Sequence, residues 1–168
     1  MKTIVLAGMP GSGKTTVGKI LSDSLKADFV DIDSEIERLE NKTINEIFAL
    51  LGEKYFRDLE AQIINRTFKN ENLVMSLGGG AFENKNTSNF LLANSNVIYL
   101  KTSPKTIFER IKKCSNRPLL NKNFTIEHLN NMLQNRKKNY ELAHFTIITD
   151  NKIENEVAAE ILKCVNLK

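Results

Sequence analysis

A glycine-rich turn between an apolar run and an amphipathic stretch limits what this chain can become more than any other feature. Gly8-Met9-Pro10-Gly11-Ser12-Gly13-Lys14-Thr15 fits the pattern G-x-x-x-x-G-K-[ST]. Glycines let successive backbone N–H groups curl into one concavity, which suits phosphate oxygens. A helix opening near Lys14 would add unpaired N–H groups and the positive end of its dipole. Lys14 would reach the β- and γ-phosphates, Thr15 would offer its hydroxyl to Mg²⁺, and Gly11, Ser12, Gly13 and Thr16 would complete a nucleotide cradle. The flanks agree. Thr3-Ile4-Val5-Leu6-Ala7 reads as a buried strand, and Val17, Ile20, Leu21 and Leu25 recur at helical spacing.

The rest of the chain alternates in the same way. Strands are predicted at 28–31, 73–77, 97–100 and 145–148. Between them, helices are predicted from Ser34 to Glu40, from Thr43 with a stop at Gly52, then onward through Tyr55, Leu59, Ile63 and Ile64. Thr43-Ile44-Asn45-Glu46 has the capping-box form. Further helices follow at 86–93, after Ser103-Pro104, from about Thr125 to Leu142, and through Val157, Ile161 and Val165. The stretch 114–124 is polar, basic and aperiodic, so it reads as a loop. Strands that alternate with helices imply an α/β fold, with a parallel sheet covered on both faces and ligands beyond the strands' carboxyl ends.

At 168 residues, 41% hydrophobic and 26% charged, the chain suits one soluble globular domain. It contains no apolar run long enough to span a membrane, and Gly8 interrupts the opening hydrophobic residues too soon for a signal peptide. Cys114 and Cys164 have no metal-ligand spacing and read as free thiols in a reducing cytoplasm. The net charge of +4 fits either nucleic-acid binding or an enzyme of anionic substrates. No basic tail or appended domain favours the former. Of the 24 cations only six are Arg, so each Arg is a candidate for a place that needs the planar guanidinium fork. His128 and His144 sit in no pattern that suggests chemistry, and Phe48, Tyr55 and Phe56 read as core or pocket wall.

Two further segments follow predicted strand ends. Asp31-Ile32-Asp33 offers two carboxylates that would share a face in extended backbone. The alternative is that Asp33 N-caps the next helix and Asp31 is a solvated strand end. The other segment is Gly78-Gly79-Gly80. Taken together with Gly8–Thr16, Phe29–Glu37, Gly52–Glu60, Ser76–Gly80, Arg117-Pro118-Leu119-Leu120 and Arg136-x-x-x-Tyr140, these residues resemble the shikimate kinase family, in order and over essentially the whole chain.

That resemblance implies a nucleoside-monophosphate-kinase-like fold whose five-stranded parallel sheet has the order 2-3-1-4-5. It further implies transfer of the γ-phosphoryl group of ATP to the 3-hydroxyl of shikimate. Residues 1–168 would form a single domain, with an acceptor-binding region at about 31–60 and a mobile lid at about 112–124. By position, Asp33 resembles the acid that binds ring hydroxyls and takes the attacking proton. Arg57 and Arg136 resemble a carboxylate clamp, and Gly78, Gly79 and Gly80 backbone contacts to the acceptor. Arg117 resembles a lid arginine over the phosphates. Thr15 and Asp31 would hold Mg²⁺, the latter through water together with Ser76. Arg110 and the Asp150-Asn151-Lys152 turn resemble adenine-side contacts. The implied ligands are shikimate, ATP and ADP, bound by a cytoplasmic monomer that needs neither nucleic acid nor membrane. Gluconate kinase and nucleoside-monophosphate kinase are the alternatives on the same fold.

Overall fold

The structure is a computed structural model that describes residues 1–69, 71–113 and 125–166. The expected lid, with Arg117, lies outside the described residues. Five strands, β1 (Ile4–Ala7), β2 (Asp28–Asp31), β3 (Leu73–Ser76), β4 (Asn96–Lys101) and β5 (Phe145–Ile148), form one parallel sheet in the order β2-β3-β1-β4-β5. This is the order that the resemblance implies. The helices are α1 (Lys14–Leu25), α2 (Ile32–Glu40), α3 (Ile44–Thr67), α4 (Lys85–Asn94), α5 (Pro104–Lys113), α6 (Ile126–Tyr140) and α7 (Glu154–Asn166).

Alternation along the central strands builds two cores. Ile4 and Leu6 of β1 join Val74, Ile98 and Leu100 on one face, under Val17 and Leu21 of α1 and Val157 and Ile161 of α7. Val5 and Ala7 join Met75, Val97 and Tyr99 on the other, under side chains of α2 to α6. Successive side chains of a strand point to opposite faces, so β1 is apolar throughout because both of its faces are covered. The register aligns Leu6 with Ser76 and Ile98, which brings the carboxyl ends of β1, β3 and β4 to one edge.

Local chemistry accounts for several boundaries. The capping box at the start of α3 is complete: Glu46 N donates to Thr43 Oγ1 and Thr43 N to Glu46 Oε2. Ser103 Oγ accepts from Thr106 N at the start of α5, and Thr125 Oγ1 accepts from His128 N at the start of α6. The helix predicted to run to Leu142 ends at Tyr140, and a one-turn 3-10 helix over Ala81–Glu83, unannounced by periodicity, follows the glycine triplet. His144 turns out to be structural. Its Nδ1 accepts from Val97 N at 3.0 Å, where the β4–β5 pairing has not yet begun. This requires a neutral ring at that nitrogen.

The carboxylates at the end of β2 need a correction. Both were expected on extended backbone, or Asp33 as the cap. Instead β2 stops at Asp31, which is itself the N-cap of α2 and accepts from Ser34 N at 3.2 Å. Asp33 lies in the first helical turn. An Asp at the N-cap meets an unpaired N–H, which is why the helix starts two residues earlier than periodicity indicates.

Gly52 stops the first helical stretch of α3, as the sequence indicates, and a second helix follows it across a kink. Gly52 bends α3 sharply, with φ 81° and ψ 166°, a conformation that is essentially glycine-only. A Cβ there would meet nothing within 4 Å, so substitution would strain the backbone without a clash. Gly52→Ala should therefore cost about 1–3 kcal/mol and lower Tm by roughly 3–10 °C in thermal circular dichroism. An unchanged Tm would show that the bend is not required.

Candidate active site

Three segments meet at the carboxyl edge of the sheet: the loop after β1, the turn from β2 into α2, and the glycine triplet after β3. Gly13, at φ 97°, turns the first loop into α1, a backbone that an L side chain rarely adopts. Lys14 is 8% exposed and curls back so that its Nζ donates to the carbonyls of Gly8 and Met9, each at 3.0 Å. Ser12 Oγ is buried with no hydrogen-bond partner among the described residues. Thr15 Oγ1 donates to Asp31 Oδ2 at 2.6 Å, joining the first loop to the second.

On the acceptor side, carboxylates and guanidiniums surround the glycines. A Cβ on Gly78 would lie 2.5 Å from both Asp33 Oδ1 and Glu60 Oε1. Burial pushes the Asp33 carboxyl up, Lys14 and Arg57 pull it back, and Asp31 and Glu37 oppose them. The charge of Lys14, in the loop, thus reaches Asp33 at the start of α2. A Cβ on Gly80 would lie 2.4 Å from Arg57 Nη2, and one on Gly79 3.4 Å from Arg136 Nη1. Both guanidiniums converge on this triplet. Arg57 also lies over the rings of Phe48 and Phe56, at 6.0 and 5.1 Å from their centroids. Those rings pack in the core, and they brace a cation.

Two participants have no role in the sequence reading. Glu60, 2% exposed, accepts from Arg57 Nη1 at 2.8 Å through Oε2, while its Oε1 has no partner among the described residues. The i,i+3 spacing of Arg57 and Glu60 on one helix was the available signal. Tyr140, whose motif was noted, donates its hydroxyl to the Gly79 carbonyl. Burial pushes the Tyr140 phenol far up and the neighbouring Arg136 pulls it partly back, so it stays protonated.

On the opposite side of the first loop, a cavity of about 290 Å³ is lined by Gly11, Gly13, Thr16, Arg110, Thr149 and Lys152 among others. Arg110 donates to the carbonyls of Ser12 and Thr149, tying α5 to the loop and to the end of β5. Asn151, exposed at φ 58°, does not line this cavity. Asp150 accepts from Ser103 and Thr106 and so braces the start of α5.

The comparisons with known proteins bear on this geometry. The family model for shikimate kinase matches residues 10–166. The shikimate kinase of Persephonella marina is 44% identical over 162 residues, covering 96% of this chain and 98% of that protein. That of Sulfurihydrogenibium sp. is 43% identical over 162 residues, with 96% of each covered. The chain belongs to the shikimate kinase family. Among solved structures, a shikimate kinase from Acinetobacter baumannii in complex with shikimate is 36% identical, with a TM-score of 0.91 over 98% of this chain and 93% of that one. A gluconokinase from Sinorhizobium meliloti, at 17% identity and a TM-score of 0.60, shares the fold alone. Shikimate kinases are ATP-dependent, in keeping with the phosphate loop. Among the described residues, no helix is long and apolar enough to cross a membrane.

Glu60 gives this site a testable pH signature. Burial raises its carboxyl above the ordinary value, Arg57 pulls it back, and Asp33 pushes it further up. An acid with a raised folded pKa binds more protons folded than unfolded. Its contribution to stability therefore falls as pH climbs from the unfolded value of about 4.3 to the folded one. Glu60→Gln removes that titration. In urea unfolding, the variant's stability relative to the parent should rise across this window and level off above it. A relative stability that falls instead would mean the Arg57 pairing outweighs burial.

Proposed function

We propose that this chain transfers the γ-phosphoryl group of ATP to the 3-hydroxyl of shikimate, as a single kinase domain whose acceptor-binding region spans about 31–60. One observation carries the reading at the level of residues. Arg57 and Arg136, from two different helices, converge on Gly79 and Gly80, next to Gly78 and the half-buried Asp33, whose carboxyl also feels Lys14 of the phosphate loop. A guanidinium fork binds a carboxylate by two parallel hydrogen bonds, and two forks on one point suit an acceptor that carries a carboxylate.

Placement and the family resemblance together support a set of roles. Gly11, Ser12, Gly13 and Thr16 cradle the nucleotide phosphates, and Arg110 with Thr149 and Lys152 walls the base side. Lys14 neutralises charge on the transferring group without moving far from its present position. Gly78 admits the close approach of Asp33, and the Gly79 and Gly80 backbone meets the acceptor. Asp33, held more basic than an ordinary carboxylate by burial, accepts the proton of the attacking hydroxyl. Phosphoryl transfer needs alignment and charge stabilisation more than covalent help, so a preorganised site supplies most of the rate. Arg117 and Asn151 are assigned to the nucleotide side on the family resemblance.

Mg²⁺ fits the residues present. Thr15 Oγ1 and Asp31 Oδ2, 2.6 Å apart, are oxygen donors beside the loop. Two such oxygens suit an ion that takes one or two protein ligands and keeps waters and phosphate oxygens. When bound, the ion offsets phosphate charge. We place the enzyme in the cytoplasm, acting as a monomer on small molecules.

ADP release by the purified protein, measured separately with shikimate, gluconate and nucleoside monophosphates, tests the reaction; shikimate alone should support turnover. Lys14→Ala should abolish activity with an unchanged circular dichroism spectrum. Arg57→Lys and Arg136→Lys keep the charge but lose the fork. Each charge-assisted hydrogen bond is worth roughly 1.5–3 kcal/mol, so the shikimate KM should rise about tenfold to a hundredfold while the ATP KM stays. If the ATP KM rose instead, the clamp would belong to the nucleotide.

A further inference from the structure

Tyr140 ends α6 one helical turn after Arg136, so the two side chains share a face. Side chains in a helix lean toward its N-terminus, which carries the Tyr140 ring back toward the Arg136 guanidinium. The ring is 1% exposed and stacks on Tyr99 of β4 at 5.0 Å between centroids. A phenylalanine would fill that place equally well. What the phenol adds is its hydroxyl, which donates to the Gly79 carbonyl and interacts with Arg136. The carbonyl of Gly79 and the N–H of Gly80 belong to one planar trans peptide unit, so fixing the carbonyl fixes the direction of the N–H. The same Gly79 abuts Pro10 of the phosphate loop, since a Cβ there would lie 2.8 Å from Pro10 Cδ.

We propose that Tyr140 is a positioning residue for the acceptor site, its hydroxyl holding the Gly79–Gly80 peptide and the Arg136 guanidinium in one fixed relation. This rests on the acceptor reading above. The hydroxyl touches no reacting atom. It sets the angle between a backbone donor and one fork of the clamp, both of which must meet the same acceptor. Without it, the peptide is free to rotate and Arg136 loses a neighbour on its inner side. The loss should fall on acceptor binding and leave the nucleotide side alone.

The test is Tyr140→Phe in the full chain. The shikimate KM, and the shikimate Kd measured by calorimetry without nucleotide, should each rise about five- to tenfold, as expected for one lost hydrogen bond. The kcat and the ATP KM should stay within about twofold. Arg136→Lys combined with Tyr140→Phe should cost less than the product of the two single effects, because both act on one arrangement. A p-aminophenylalanine at 140 restores a donor and should recover most of the affinity. Asn139→Ala removes a neighbouring link from α6 to Glu83 and should leave the shikimate KM unchanged. A parent that does not phosphorylate shikimate would defeat the function and not this step. A parent that does, with Tyr140→Phe merely less heat-stable and its shikimate KM unaltered, would overturn the positioning role. If Tyr140→Phe did not fold, the p-aminophenylalanine form would decide, since an unrestored KM in a folded protein also overturns it.

Discussion

The two oxygens of Asp31 hold the two halves of the site in place. Oδ2 takes the Thr15 hydroxyl at the start of α1, and Oδ1 takes Ser34 N in the first turn of α2. One carboxylate at the end of an edge strand thus fixes the helix that carries the phosphate loop against the helix that carries Asp33. Its partners are a hydroxyl and an N–H at helix starts, groups that would otherwise be left unpaired. Removing the carboxylate would free a helix end and the proposed Mg²⁺ oxygen together, so fold and chemistry share this contact.

The acceptor side concentrates charge where water is scarce. Glu60 and Asp33 are both pushed toward protonation by burial, while Arg57 and Lys14 oppose the shift. Pairs of this kind contribute little net stability, because desolvation consumes most of the attraction, yet leaving one partner alone is costly. An arrangement that adds little to stability and is costly to break is expected where orientation matters more than strength. Glu60 Oε1, beside Gly78 and without a partner among the described residues, fits such a site. It marks a place where stability has not been maximised.

The fold was largely legible because its signals are local. The phosphate loop, the capping box at Thr43 and the proline after Ser103 each impose a backbone that neighbours cannot easily override. Strand order was not legible from periodicity and came from the resemblance. Asp31-Ile32-Asp33 suits either a strand end or a helix start, and periodicity alone does not show that Asp31 takes Ser34 N as a cap while its other oxygen takes Thr15, sixteen residues earlier. The parts that Glu60 and Tyr140 play are hidden in the sequence for a different reason. A buried carboxylate looks like any helical glutamate, and a tyrosine near a helix end looks like core, until tertiary packing shows what lies opposite. The 3-10 turn after Gly80 depends likewise on where the glycine triplet is held.

The uneven use of the two basic side chains makes sense at the level of these contacts. Lys14 serves a loop that surrounds it, and a compact ammonium with three rotatable donors can meet carbonyls now and phosphates later. Arg57 is held differently. Gly80 lies against its guanidinium, the Phe48 and Phe56 rings lie within cation–π range, and Glu60 takes Nη1. Glu53 lies 3.5 Å from Nε. A plane held at its face and along its edges has little rotational freedom left, so its orientation is set before a ligand arrives. A lysine in that slot would keep the charge and lose every one of those constraints on direction. Arg38 shows the contrast: it forks onto Glu35 at the exposed surface, a pair that solvent screens and no packed ring braces among the described residues. Packing that fixes the guanidinium, as at Arg57, is therefore what separates an arginine that lysine could not replace from one that it could.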